Sequence, residues 1–255
     1  MKLYKQGYIT FEDLLKAKIG KKYRERIEYD LYDKPDHIDK LNIKKFLDTF
    51  SYPLYFLDFE TYQMPIPLYD YVHPYEQVPF QYSLHYYEKE NGELLHTEYL
   101  GIPGTDPRRA LAEQLVKEIP LNVCTLAYNM SFEKGVIKRL ATIYPDLSEH
   151  LMNIHNHIKD LEDPFSKRYY YTKDMAGSSS IKKVLPALFP DDPSLDYHNL
   201  DLIHNGSEAM NSFAKMATMS KEELGYTRER LLRYCELDTY AMVKIYKKLK
   251  QEILK

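Results

Sequence analysis

The chain has 255 residues, 44% of them hydrophobic and 29% charged, with a formal net charge of −3; this excludes a disordered or fibrous chain and leaves room for one sizeable core. Its two cysteines, Cys124 and Cys235, exclude a disulfide scaffold and a four-cysteine zinc site, and both lie in apolar-periodic stretches that predict buried thiols. No apolar run approaches the roughly 18 residues of a membrane span, and the start Met1-Lys2-Leu3-Tyr4-Lys5 lacks a signal-peptide core, so a cytoplasmic setting without a membrane partner is expected.

Residues 1–50 read as polar and helical, an appendage to the rest or the tail of a larger chain. Thr10 ahead of Glu12-Asp13-Leu14-Leu15 predicts a capped helix start, and Ile38, Leu41, Ile43, Phe46 and Leu47 form a helical stripe within Asp36 to Phe50. Residues 51–255 form the expected main domain. Leu54 to Phe59 is a strand by length and aromatic content, and Phe80 to Tyr87 alternates as a second. Asn91-Gly92 is a hairpin signal, and Leu94 to Leu100 is the third strand of an antiparallel meander. Pro107 opens a helix with Ala110, Leu111, Leu115, Val116 and Ile119 on its inner face. Asn122 to Ala127 reads as a short buried strand, Asn129 as the N-cap of a helix reaching about Leu140, and His157 to Leu161 as a weaker strand. Tyr169-Tyr170-Tyr171 reads as a short strand or ordered loop. Gly177-Ser178-Ser179-Ser180 leads into a helix over Ile181 to Leu188, and a further helix starts at Ser207 or Glu208. Ser220 and Glu223 form a capping box that opens a long final helix reaching Leu254. Three meander strands followed by alternating helix and strand predict an α/β fold, a mixed sheet with helices on both faces.

Three pieces carry chemistry. Asp58 and Glu60, two apart on the first strand, share a face; two carboxylates on an apolar strand need a compensating cation unless the strand end simply reaches solvent, and Mg²⁺ or Mn²⁺ prefers oxygen ligands. Glu133 falls in the first turn of a mid-chain helix, where the helix dipole alone also favours an acid. Tyr234 and Asp238, four apart on the last helix, share its face. Lys182 and Lys183 follow the Gly-Ser loop at a helix start, a place suited to phosphate contacts or to two solvated lysines. The 25 tyrosines, with no tryptophan, include rings able to stack on bases, though most serve as core or surface.

The order Asp58-Phe59-Glu60, then Asn129 to Glu133, then Tyr234 to Asp238 resembles the DEDD (DnaQ-like) exonuclease superfamily in its tyrosine branch. The histidine branch would place its histidine at 233, where this chain has Arg233. The segments Tyr52 to Thr61, Tyr128 to Glu133 and Gly177 to Pro186 are most similar to an uncharacterised bacterial family of that superfamily, DUF2779. The resemblance runs from Tyr52 to the C-terminus. It implies a ribonuclease-H-like sheet and a 3′–5′ exonuclease acting on single-stranded ends of DNA or RNA through two bound Mg²⁺ or Mn²⁺ ions. Asp58, Glu60, Glu133 and Asp238 would hold the ions, and Tyr234 would orient the attacking water. In relatives it implies a Cas4-like nuclease domain ahead of this module, one not expected within these residues. The superfamily usually has aspartate where this chain has Glu133, which leaves Asp160 as the alternative fourth acid. Two other readings stand beside the exonuclease: a nucleic-acid-binding module of the same fold without turnover, and a metal-dependent phosphohydrolase of small nucleotides.

Overall fold

A computed structural model of the chain describes residues 2–255 and divides by contacts into two compact units. One comprises residues 48–161 and 191–248; the other gathers the chain up to Leu47 with residues 162–190 and 249–255.

The larger unit is built on a five-stranded sheet of β1 (Leu54–Tyr62), β2 (Val78–Tyr87), β3 (Leu95–Leu100), β4 (Cys124–Ala127) and β5 (Ile158–Asp160). The strand order is β3-β2-β1-β4-β5. β1, β2 and β3 form the antiparallel meander, while β4 runs parallel to β1 and β5 parallel to β4. The expected mixed sheet is therefore present. At the β2–β3 turn Asn91 takes the left-handed conformation (φ 56°) that the turn requires and asparagine tolerates.

The helices of this unit are α1 (Arg108–Glu118), α2 (Ser131–Ile143), α3 (Ser148–His157), α4 (Gly206–Lys215) and α5 (Lys221–Leu254), whose last turns lie beyond the unit. α3 stands where no helix is expected, and His157, expected to begin a strand, closes that helix instead. Pro107 stands just outside α1, and the Asp106 carboxylate accepts the Arg108 N–H at 3.1 Å. The inner face of α1 is Leu111, Ala112, Leu115 and Ile119, whereas Ala110 is exposed. The Ser220–Glu223 capping box forms as expected, with Glu223 Oε2 accepting Ser220 N–H at 2.9 Å.

Strand alternation separates two faces of the sheet. On one, Tyr55, Leu57 and Phe59 of β1 and Tyr82 and Leu84 of β2 pack with Leu111 and Leu115 of α1, Ile137 and Leu140 of α2, and Ile154 of α3. Burying each such side chain stabilises by about 1.5–3 kcal/mol. The other face carries Phe56, Asp58 and Glu60, paired across to His85, Ser83 and Gln81 of β2. Helix α5 lies over it: Gln81 Nε2 donates to the Leu231 carbonyl at 2.8 Å, and Ser83 Oγ meets Thr239 Oγ1 at 2.7 Å. A second apolar cluster, with Phe80 stacked on Phe213 of α4 at 4.1 Å and Leu231 and Tyr234 of α5, completes this side.

In the smaller unit the Thr10 capping box opens a helix at Phe11–Lys16. Helices Lys21–Tyr32, Lys40–Leu47 and Ile181–Leu188 follow. His37 and Ile38, within the stretch from Asp36 to Phe50 read as a helical stripe, pair instead with Tyr171 and Tyr170 as a two-stranded antiparallel ribbon. Tyr171 is packed edge-on by Tyr29, with ring centres 4.8 Å apart. Among the described residues no helix is long and apolar enough to cross a membrane.

Candidate metal centre

β1 is the central strand, and its alternation sends Asp58 and Glu60 to the face under α5, from which Asp238 projects. One carboxylate oxygen from each of Asp58, Glu60 and Asp238 lies within 4.8 Å of the other two. Burial, and then the charges of Asp238, Glu133 and Glu60, hold the Asp58 carboxyl well above the usual carboxylate range. Gly206, the first residue of α4, passes beside the group: a Cβ there would stand 3.5 Å from Glu60 Oε2.

Glu133 lies in the first turn of α2, only 2% exposed. It is close enough for its charge to act on Asp58, though outside the set of three oxygens. Its Oε2 is buried without a hydrogen-bond partner, a condition that costs about 1–3 kcal/mol. Burial, opposed by its own backbone N–H and assisted by the Asp160 charge, pushes its pKa up to about 8. Asp160, the alternative fourth acid, caps α2: its Oδ1 accepts the Asn129 N–H at 2.9 Å and its Oδ2 the Met130 N–H at 3.1 Å. Asn129 is accordingly not the N-cap that its position suggested. It turns the chain in the left-handed conformation (φ 65°), and the cap comes from β5.

Tyr234 is 3% exposed, one turn before Asp238. Burial and the charges of Asp238, Glu60 and Asp58 raise its phenol pKa, so the hydroxyl keeps its proton. Tyr197, which the sequence reading did not single out, donates its hydroxyl to Asp238 Oδ1 at 2.5 Å, with its ring 6.0 Å from that of Tyr234. Cys235 is a buried free thiol, like Cys124. Its Sγ lies 3.9 Å from Asp58 Oδ2, and burial pushes its pKa up, so it faces Asp58 as a neutral weak donor.

Lys182 and Lys183 are exposed on the first turn of the helix Ile181–Leu188, in the smaller unit. The preceding loop needs its glycine. Gly177 has φ +82°, and a Cβ there would meet Arg26 Cδ at 2.8 Å.

Four observations bear on a metal. The donors are all carboxylate oxygens, which suit Mg²⁺ or Mn²⁺. Three converge closely. Their proximity opposes ionisation of Asp58, and a buried oxygen of Glu133 has no partner. The residues fit a hard divalent ion.

Residues 55–180 match the family described as a domain of unknown function, DUF2779. No curated protein and no solved structure matches the chain.

Proposed function

We propose that this chain, which through residues 55–180 belongs to the DUF2779 family, is a metal-dependent 3′–5′ exonuclease of the DEDD type, in its tyrosine branch, acting on single-stranded DNA or RNA ends. The observation that carries the reading is the convergence of Asp58 and Glu60 from the central strand with Asp238 from the last helix, one oxygen of each within 4.8 Å. The strand order β3-β2-β1-β4-β5, a meander continued by parallel strands, supports a ribonuclease-H-like fold.

Asp58, Glu60 and Asp238, with Glu133 beside them, would hold Mg²⁺ or Mn²⁺. When bound, such ions lower the pKa of an attacking water and neutralise charge on the phosphoryl oxygens. The chain's own groups do the positioning. Tyr197 fixes one oxygen of Asp238. Asp160 anchors the start of α2, and so the turn from which Glu133 projects. Tyr234 keeps its proton, so it serves as a hydrogen-bond donor that orients a water rather than as a base. Lys182 and Lys183, exposed on the smaller unit, would supply phosphate contacts of their own, whose contribution weakens as salt rises.

The test is digestion of 5′- and 3′-labelled single-stranded DNA and RNA with Mg²⁺ or Mn²⁺. A 3′ label should leave as a mononucleotide at the outset, while a 5′-labelled strand shortens as a ladder. Circular single strands cut as fast as linear ones would establish an endonuclease instead. Binding without cleavage under either ion would leave a binding module.

A further inference from the structure

A second cluster of metal-ligand side chains lies on the same sheet face, built from nitrogen as well as oxygen. His85 of β2 and His96 of β3 are direct cross-strand partners, with ring centres 4.4 Å apart. Glu236 of α5 joins them: one ligand atom from each of the three lies within 4.8 Å of the others. His85 is buried, His96 partly so, and Glu236 reaches solvent. Nothing in the proposed exonuclease uses these residues.

The hydrogen bonds behind the two rings decide where their protons sit. Thr239 Oγ1 lies 3.1 Å from the Glu236 carbonyl, 2.7 Å from Ser83 Oγ and 2.7 Å from His85 Nδ1. A carbonyl only accepts, so Thr239 directs its single hydroxyl proton there and must accept from the other two. Ser83 then donates to Thr239, and its oxygen accepts from His96 Nε2 at 2.9 Å. The network is complete when His85 carries its proton on Nδ1 and His96 on Nε2. The second nitrogens, His85 Nε2 and His96 Nδ1, are left as lone pairs. Burial disfavours the charged form of both rings, and a neutral imidazole with one nitrogen tied to a hydroxyl is the state in which histidine ligates metals.

We propose that His85, His96 and Glu236 form a second metal site, for a borderline divalent ion of the Zn²⁺ type, with its remaining position open to water. Two imidazoles and one carboxylate match the ligand set of zinc sites that keep an open position, whereas Mg²⁺ and Mn²⁺ favour the all-oxygen group around Asp58. The ion would tie α5 to β2 and β3, with Ser83 and Thr239 setting the tautomers of its ligands.

The probe is Co²⁺, whose visible absorption reports nitrogen ligation in a four-coordinate site, followed by displacement with Zn²⁺. The full chain carrying Asp58→Asn and Asp238→Asn isolates this cluster from the acidic one. After chelator treatment it should bind one Co²⁺ per chain with four-coordinate bands that Zn²⁺ abolishes. Glu236→Gln, at an exposed position where folding is not at stake, and His96→Gln should each weaken the affinity at least ten-fold. Thr239→Val, which removes an outer partner of His85, should weaken it roughly 10–100-fold. Circular dichroism confirms folding of each variant. Absence of the bands in the parent, or equal affinity in the parent and Glu236→Gln, overturns the proposal. Neither result bears on the exonuclease reading, since the acidic group is disabled throughout.

Discussion

The two faces of β1 differ by one residue in phase and by everything in chemistry. Tyr55, Leu57 and Phe59 are buried in a dry core against α1, α2 and α3. Phe56, Asp58 and Glu60 turn to α5, where only Phe56 is apolar, and their cross-strand partners on β2 are His85, Ser83 and Gln81. Both faces are covered, so exposure does not distinguish them: Glu60 is 8% exposed and Phe59 3%. The first face stabilises the unit through area removed from water. The second tolerates buried acids and a raised Asp58 pKa, features that weaken a fold and suit a site for cations.

This contrast can be broken by exchanging the losses. On the polar face, Asp238→Ala should reduce turnover on the order of 10⁴-fold, the scale set by removing a member of a catalytic set. Its melting temperature without metal should change little, because relief of the carboxylate repulsion offsets the lost Tyr197 hydrogen bond. Turnover measured beside a melting curve checks both, and wild-type turnover in this variant would leave the binding module ahead. On the dry face, Leu57→Ala should cost about 2–5 kcal/mol of stability in denaturant unfolding. The fraction that remains folded should respond to Mn²⁺ as wild type does.

Two smaller effects sharpen the contrast. Tyr234→Phe keeps the packed ring and removes one hydroxyl, so turnover should drop by about 10²–10³, or roughly 2–4 kcal/mol in the barrier. Mn²⁺ affinity and melting temperature should hold; unchanged turnover would remove the tyrosine from the mechanism. The remaining effect is on pH dependence. The folded Glu133 pKa of about 8 lies above the ordinary 4.5, so between these values the folded state binds a proton that the unfolded chain has released. Stability of the metal-free protein from this group is full below about 4.5 and falls as pH rises towards about 8. Melting curves across that window should show the decline, and Glu133→Gln should flatten it. An equal decline in both proteins would assign it to other groups.

Local signals made much of the fold legible. Period-two alternation and aromatic content marked β1, β2 and β3 to within two or three residues, and the Ser220 capping box marked the start of α5. Readings that depended on a distant partner went astray. Asn129 has the chemistry of an N-cap, yet Asp160 of the neighbouring parallel strand does that work. His37 and Ile38 follow the apolar spacing of the next helix, but Tyr170 and Tyr171 draw them into a ribbon. Of the candidate centre, the Asp58–Glu60 and Tyr234–Asp238 spacings were visible because strand and helix periods place such pairs on one face. Tyr197 was not, since it stands in a stretch of short 3₁₀ turns and is one of 25 tyrosines. The His85–His96 pairing became visible only once the β2–β3 register was known.

The most direct test of the central claim is a Mn²⁺ titration of melting temperature, with wild type beside the Asp58→Ala, Asp238→Ala double variant. A ligand that binds only the folded state stabilises it by about 2.7 kcal/mol at 100 times its dissociation constant. Wild type should show a saturable rise of that order, and the double variant, folded by circular dichroism, should show none. An equal rise in both proteins would contradict the assignment of Asp58 and Asp238 as metal ligands.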